Sequence, residues 1–147
     1  MGFIPLSLFK VPQGKWPEAT QIRIGKEDCK EGPVFDVKVA QSAGDRAKGL
    51  SHRKKPLAPS EGMLFILTQN TSGYFWMKDT YIPLALIFFD NNGKVLSGVE
   101  MPVEQNPEAP IHEYNIPKGT SYGLEIAPGN STQFISPSAY SLCIKTF

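Results

Sequence analysis

Several functional classes are marked by features that this chain of 147 residues has little of. Cysteine occurs twice, at Cys29 and Cys143, too few for a disulfide scaffold and too scattered for a zinc site. No apolar run approaches the roughly 18 residues of a membrane helix, so a membrane span is excluded. Charge of one sign is missing too: 15 Lys and Arg stand against 14 Asp and Glu, for a net charge of +1. A dedicated nucleic-acid binder carries a basic excess, so nucleic acid is not expected as a partner. Histidine occurs only at His52 and His112, and neither has the spacing of a metal motif such as His-Glu-x-x-His. There is no Gly-x-Ser-x-Gly nucleophile elbow. No catalytic residue, metal or cofactor is therefore assigned. The N-terminus lacks a basic region, and Pro5 interrupts its apolar residues, so it does not read as a secretory signal. The location expected is the cytoplasm or the inside of an assembled particle.

What the chain has in quantity is punctuation: thirteen glycines and thirteen prolines among 41% hydrophobic residues. This suits one turn-rich domain. Residues 1–33 read as an N-terminal arm, with Phe3, Ile4, Leu6, Leu8 and Phe9 followed by prolines at 12 and 17 that rule out a stable helix. Burying each large side chain is worth roughly 1.5–3 kcal/mol, so this arm either lies across its own domain or docks on a neighbour. Those five residues are taken as partner-docking.

Residues 34–147 form the expected body. Val34–Ala40 alternates as a half-buried strand does. Ser42 or Asp45 stands where it can cap a short helix through Leu50. Apolar runs at 63–67, 73–77 and 84–89 read as buried strands. Asp90-Asn91-Asn92-Gly93 marks a hairpin, expected with a two-residue turn, and residues 94–99 return as its partner. Residues 100–118 are acidic and stiffened by proline, a long loop of the kind that is often functional. Strands resume at 121–126 and 140–147. The fold class expected is mostly β: a compact single-domain barrel or sandwich of about seven short strands with one short helix. One bridge between the cysteines is open if their Cα atoms come within about 7 Å, with free thiols the favoured reading and Cys143 a small core residue. The triplets beginning at Asn70 and Asn130 read as chance matches to a glycosylation signal.

Two patches offer chemistry. Arg46, Lys48, His52, Arg53, Lys54 and Lys55 form the one basic cluster, with Arg46 and Arg53 as candidate anion contacts. The competing explanation is favourable charge near a helix C-terminus. Tyr74, Phe75, Trp76 and Tyr81 form an aromatic block, and alternation puts Tyr74 and Trp76 on one face with Phe75 and Met77 on the other. An exposed Trp76 beside Lys78 and Asp79 makes a stacking platform for a sugar or a protein partner.

Between about Phe35 and Gly129 the chain also resembles the domain of unknown function 192 family. The residues that carry this are Asp45–Leu50, Glu61–Phe65, Phe75-Trp76-Met77-Lys78-Asp79-Thr80-Tyr81-Ile82-Pro83-Leu84, Phe89-Asp90 with Gly93-Lys94-Val95, and Gly123–Ile126. The resemblance implies a β-rich domain with one short helix, often found in exported bacterial and archaeal proteins, and supplies no reaction. The chain departs from the family pattern at Asp79, where an asparagine is usual, at Ala85, where an aspartate is usual, and at Ser51, where a methionine is usual. Three functions are compatible with these features. The first is a non-enzymatic subunit of a larger assembly, such as a viral capsid or tail component, whose partner is another protein or a second copy. The second is a monomeric module for a glycan or small ligand, using Trp76, Lys78, Asp79 and the acidic loop. The third is an enzyme whose mechanism is not legible.

Overall fold

A computed structural model describes residues 2–11, 14–26, 28–67, 73–129, 131–134 and 140–146. The triplet start sites Asn70 and Asn130 lie outside them. Ten strands occur among the described residues. They are β1 (Phe3–Pro5), β2 (Ala19–Gly25), β3 (Val34–Ala40), β4 (Glu61–Ile66), β5 (Tyr74–Phe75), β6 (Leu84–Asp90), β7 (Val95–Met101), β8 (Tyr114–Asn115), β9 (Thr120–Ile126) and β10 (Ser141–Lys145). Eight of them make one sheet in the order β1-β10-β2-β3-β4-β9-β6-β7, while β5 and β8 pair separately. Within the large sheet only β3 and β4 run parallel.

The domain is mostly β, as expected, but its sheet is not a closed barrel: the order begins at β1 and ends at β7. The β7 end instead approaches β10, the strand beside β1, at one isolated bridge between Lys94 and Ser141. There the Leu142 N–H donates to the Gly93 carbonyl at 2.7 Å. Gly93 has φ +83°, and a Cβ on it would sit 3.0 Å from the Leu142 carbonyl oxygen and 3.1 Å from Leu6 Cβ, so only glycine suits this contact. The hairpin turn differs from the expected two-residue form. Asp90 N–H donates to the Lys94 carbonyl, and Gly93 alone has positive φ, leaving three residues in the loop.

Helix α1 (Ala43–Lys48) lies in the crossover from β3 to β4. Ser42 is its cap, its hydroxyl accepting from the Asp45 N–H at 3.0 Å, and Gly49 ends it at φ +48°.

The boundary expected at residue 33 does not divide this fold. β2 lies inside the sheet between β10 and β3, and β1 pairs with β10, so Phe3–Pro5 and Ala19–Gly25 belong to the same sheet as the body. The arm lies across its own domain. Leu6 is buried in the main core, and Ile4 and Phe9 pack against it. Phe3 is half-buried with the Arg23 guanidinium 4.6 Å from its ring centre, while Leu8 stays exposed. Intramolecular strand pairing satisfies the backbone of a chain too proline-rich for helix, which explains the outcome.

Of the two readings of the cysteines, the structure has the bridge and not the favoured free thiols. Cys29 and Cys143 form a disulfide with Cα atoms 6.0 Å apart, tying the turn after β2 to β10. Such bonds persist under oxidising conditions.

Strand β6 shows how the core is layered. Ala85, Ile87 and Phe89 enter one apolar cluster, whereas Leu84, Leu86 and Phe88 enter a second on the other face. Both faces are covered, which is why this strand reads as an unbroken apolar run. No helix among the described residues is long and apolar enough to cross a membrane.

Candidate functional site

The second face of the sheet is covered by loops and the β5–β8 pair, and this looser cover leaves a cavity of about 260 Å³. Its walls come from α1, β4, β9 and the 74–80 segment. Arg46, Trp76 and Lys78, three of the five ligand-binding candidates, line it together with Lys48, Tyr74 and Glu125.

Glu125 falls in the Gly123–Ile126 stretch that carries the family resemblance but is not among the candidate site residues, and it is the most unusual residue in the cavity. It stands on β9 opposite Met63 on β4 and Leu86 on β6, in the middle of the sheet. Alternation sends Leu124 and Ile126 into the main core and turns Glu125 to the other face. There it is 5% exposed. Burial alone pushes its carboxyl up to about 8, with no cation near enough to counter it. At neutral pH the group is therefore mainly the uncharged acid, able to donate one hydrogen bond and accept others.

Arg46 reaches the cavity from α1 and is held there by its Nη1, which donates to the Gln41 carbonyl at 2.6 Å and the Ile66 carbonyl at 3.4 Å. Tyr74 and Trp76 share the exposed face of the aromatic block, at 43% and 46% exposure, while Met77 is fully buried, as alternation requires. Their rings meet edge-on at 5.8 Å. The Tyr74 hydroxyl donates to Glu113, and that bond, with the Glu113 charge, raises its pKa.

The segment after Trp76 is fixed by backbone bonds. Asp79 N–H donates to the Pro107 carbonyl, and the Asp79 carbonyl accepts from the His52 N–H, both at 2.7 Å. Lys78 Nζ donates to the Glu108 carbonyl at 3.0 Å. The 102–113 loop is in turn stapled by buried Glu104. Its carboxylate accepts from the Ile111 and His112 N–H groups at 3.3 and 3.2 Å and lies 3.0 Å from His112 Nδ1. Desolvation raises this carboxyl, but those hydrogen bonds outweigh it and hold it below its ordinary value.

The other two candidates lie elsewhere. Arg53 makes a two-pronged ion pair with Glu61, both contacts 2.9 Å, and donates to the Lys55 and Pro56 carbonyls, so its fork closes the 53–61 turn. Asp79 does not line the cavity. It adopts φ +54°, a conformation that Asp and Asn tolerate better than most residues, so the departure from asparagine there keeps the backbone requirement. Ala85 is fully buried in the main core, on the face away from Glu125, and contributes nothing to the cavity.

A larger open groove of about 1090 Å³ runs over β2, β3 and β4 beside α1. Its rim mixes both signs of charge, with Glu18, Asp36 and Glu61 facing Lys38 and Lys145, and it holds no buried ionisable group. Among the described residues no three His, Cys, Asp or Glu side chains come together as a metal site would require.

No curated protein matches this chain. Among solved structures it is similar to a protein of unknown function from Novosphingobium aromaticivorans, at 25% identity and a TM-score of 0.69, covering 93% of this chain and 94% of that one. It is also similar to a proposed transcription regulator from Sinorhizobium meliloti, at 27% identity and a TM-score of 0.64, covering 88% and 96%. The profile of the domain of unknown function 192, described as an uncharacterised ACR, matches residues 24–135, most of the chain. The chain belongs to the domain of unknown function 192 family.

Proposed function

We propose that this domain binds a small organic molecule in the cavity between α1, β4, β9 and the 74–80 segment. The observation that carries this is Glu125, a carboxyl buried in the sheet without a charged partner at a cavity wall. A carboxyl removed from bulk water at a cavity wall gains from a hydrogen bond to a ligand, which replaces the solvation that burial takes away. At about 260 Å³ the cavity is at the small end of ligand pockets, which run roughly 300–1,000 Å³, and suits a molecule the size of a monosaccharide or an amino acid. Arg46 supplies donors, and Trp76 supplies a flat apolar wall.

The test is shift mapping of the backbone amides with a library of small polar compounds. Binders are expected to move Gly49, Phe75 and the Trp76 indole together. Binders confined to the open groove over β2–β4, or none at all, overturn the assignment.

An assembly role has narrower support. Leu6 is already buried by its own domain, which leaves the exposed Leu8 and the outer edge of β1 as a surface for a neighbour. Sedimentation of the full chain tests that role, a monomer at all concentrations counting against it.

A further inference from the structure

The cavity combines an excess of cations with apolar walls, and the ligand class this selects rests on the small-molecule function above. Arg46, Lys48 and Lys78 line it against a single acid, Glu125. The cations keep their majority whether or not Glu125 is ionised, and in its uncharged form that acid can itself donate to an anion. Lys78 is partly neutralised by the Asp79 carboxylate at 3.9 Å, whereas Arg46 and Lys48 have no ion pair among the described residues. Glu113 is the other acid at this end of the fold, and it accepts from the Tyr74 hydroxyl. In a cavity of about 260 Å³ an occupant lies within about one screening length of every lining charge.

Arg46 is the fixed donor of the three. The two bonds that hold it both use Nη1, so its Nε and Nη2 remain as donors. That pair lies along one side of the planar guanidinium, the arrangement that takes both oxygens of a carboxylate at once. Most of the remaining wall is apolar, from Leu50, Phe65, Leu67, Phe75, Trp76 and Ile116. Phe65 and Leu67 are buried, and the rings of Phe65 and Phe75 meet edge-on at 5.1 Å. Such a wall returns nothing for the hydration that a bare inorganic anion loses on entry, but it receives a carbon body well. An ammonium group, by contrast, meets lining charges that are mostly positive. We propose that the occupant is a small monocarboxylate with an apolar body, its carboxylate on the Nε–Nη2 edge of Arg46 and its body against the aromatic wall.

The experiment uses the full-length, isotope-labelled chain at pH 7 and follows the Gly49, Phe75 and Trp76 signals. Two sets of probes each share a carbon body and differ in charge. One is benzoate, benzyl alcohol and benzylamine; the other is isovalerate, isoamyl alcohol and isoamylamine. Acetate and inorganic phosphate supply charge without the body. At least one of the two larger acids is expected to shift the signals, with its alcohol, its amine, acetate and phosphate each weaker by roughly tenfold or more. The affinity of that acid should fall between roughly 20 and 300 mM salt, while that of its alcohol holds. Arg46→Gln should remove the advantage of the acid over the alcohol. If this variant does not fold, the salt series, which needs no variant, decides. An alcohol or amine that binds as well as its acid, an acid indifferent to salt, or an equal response to acetate or phosphate overturns the monocarboxylate while the pocket stands. Binding of library compounds with neither acid bound does the same. If no probe and no library compound moves the cavity signals, the small-molecule function falls with it.

Discussion

His52 and Asp79 are joined by a 2.7 Å bond from the His52 N–H to the Asp79 carbonyl, and both hold left-handed backbone, at φ 66° and 54°. Two segments distant in sequence, the turn after α1 and the stretch that carries Trp76 and Lys78, thus meet at a pair of residues in a conformation most side chains avoid. Asp79→Ala is expected to destabilise the fold by about 1 kcal/mol, because alanine lacks the local polar contacts that ease this conformation. Asp79→Asn should be close to neutral. Urea unfolding of the two variants distinguishes them, and equal losses would show that the backbone angle is not the reason.

Glu104 governs the loop that holds Asp79 from the other side. Its folded-state pKa lies below the ordinary 4.5, so its contribution is complete above that value and is lost as pH falls through the lower, folded one. Hydrogen exchange should find the Ile111 and His112 amides protected at pH 6 and released in Glu104→Ala. Protection unchanged in the variant would mean that the loop is held by other contacts.

Glu125 works with the opposite sign. Between 4.5 and about 8 the folded chain keeps a proton that the unfolded chain has lost, so stability falls as pH rises through that window. At about 1.36 kcal/mol per pH unit, the loss is on the order of 4–5 kcal/mol. Glu125→Gln should flatten this slope and leave the variant more stable than the parent at pH 8, with little difference at pH 5. Chemical unfolding at the two pH values measures both.

The disulfide closes a loop across most of the chain, Cys29 and Cys143 standing 114 positions apart. Constraining the unfolded chain over such a span is worth roughly 2–5 kcal/mol. Replacing both cysteines by serine should lower the unfolding midpoint accordingly and make it indifferent to reductant. A midpoint unaltered by the double replacement would contradict the bond's contribution.

Trp76 is half exposed at the cavity wall, so Trp76→Ala should cost about 1 kcal/mol or less and still weaken ligand binding. Loss of the fold in this variant would assign the indole to the core instead.

The parts of this structure that local pattern reveals are those where chemistry acts within a few residues. Ser42 caps α1, Gly93 makes its turn, and the residues from Tyr74 to Met77 alternate between exposed and buried faces. Partners far along the chain are less legible. β2 has only Ile22 and Ile24 pointing inward as fully buried apolar side chains before Gly25, and its place beside β3 depends on β10 arriving from the other end of the chain. The disulfide depends on that same arrival. Glu125 alternates correctly with Leu124 and Ile126, which by itself suggests a solvent-facing acid. Only the loops and the β5–β8 pair, closing over that face, turn it into a buried one. The signals the sequence offers for it are a lone acid within an apolar strand that also carries Gly123 and its place in the Gly123–Ile126 stretch that resembles the family.

The most direct measurement is a pH titration of the Glu125 side-chain carboxyl carbon by NMR in the ligand-free protein. A buried and unpaired acid is expected to titrate with a midpoint near 8. A midpoint near 4.5 would show that water or a cation already satisfies the carboxylate, and the cavity would lose the group on which its proposed function depends.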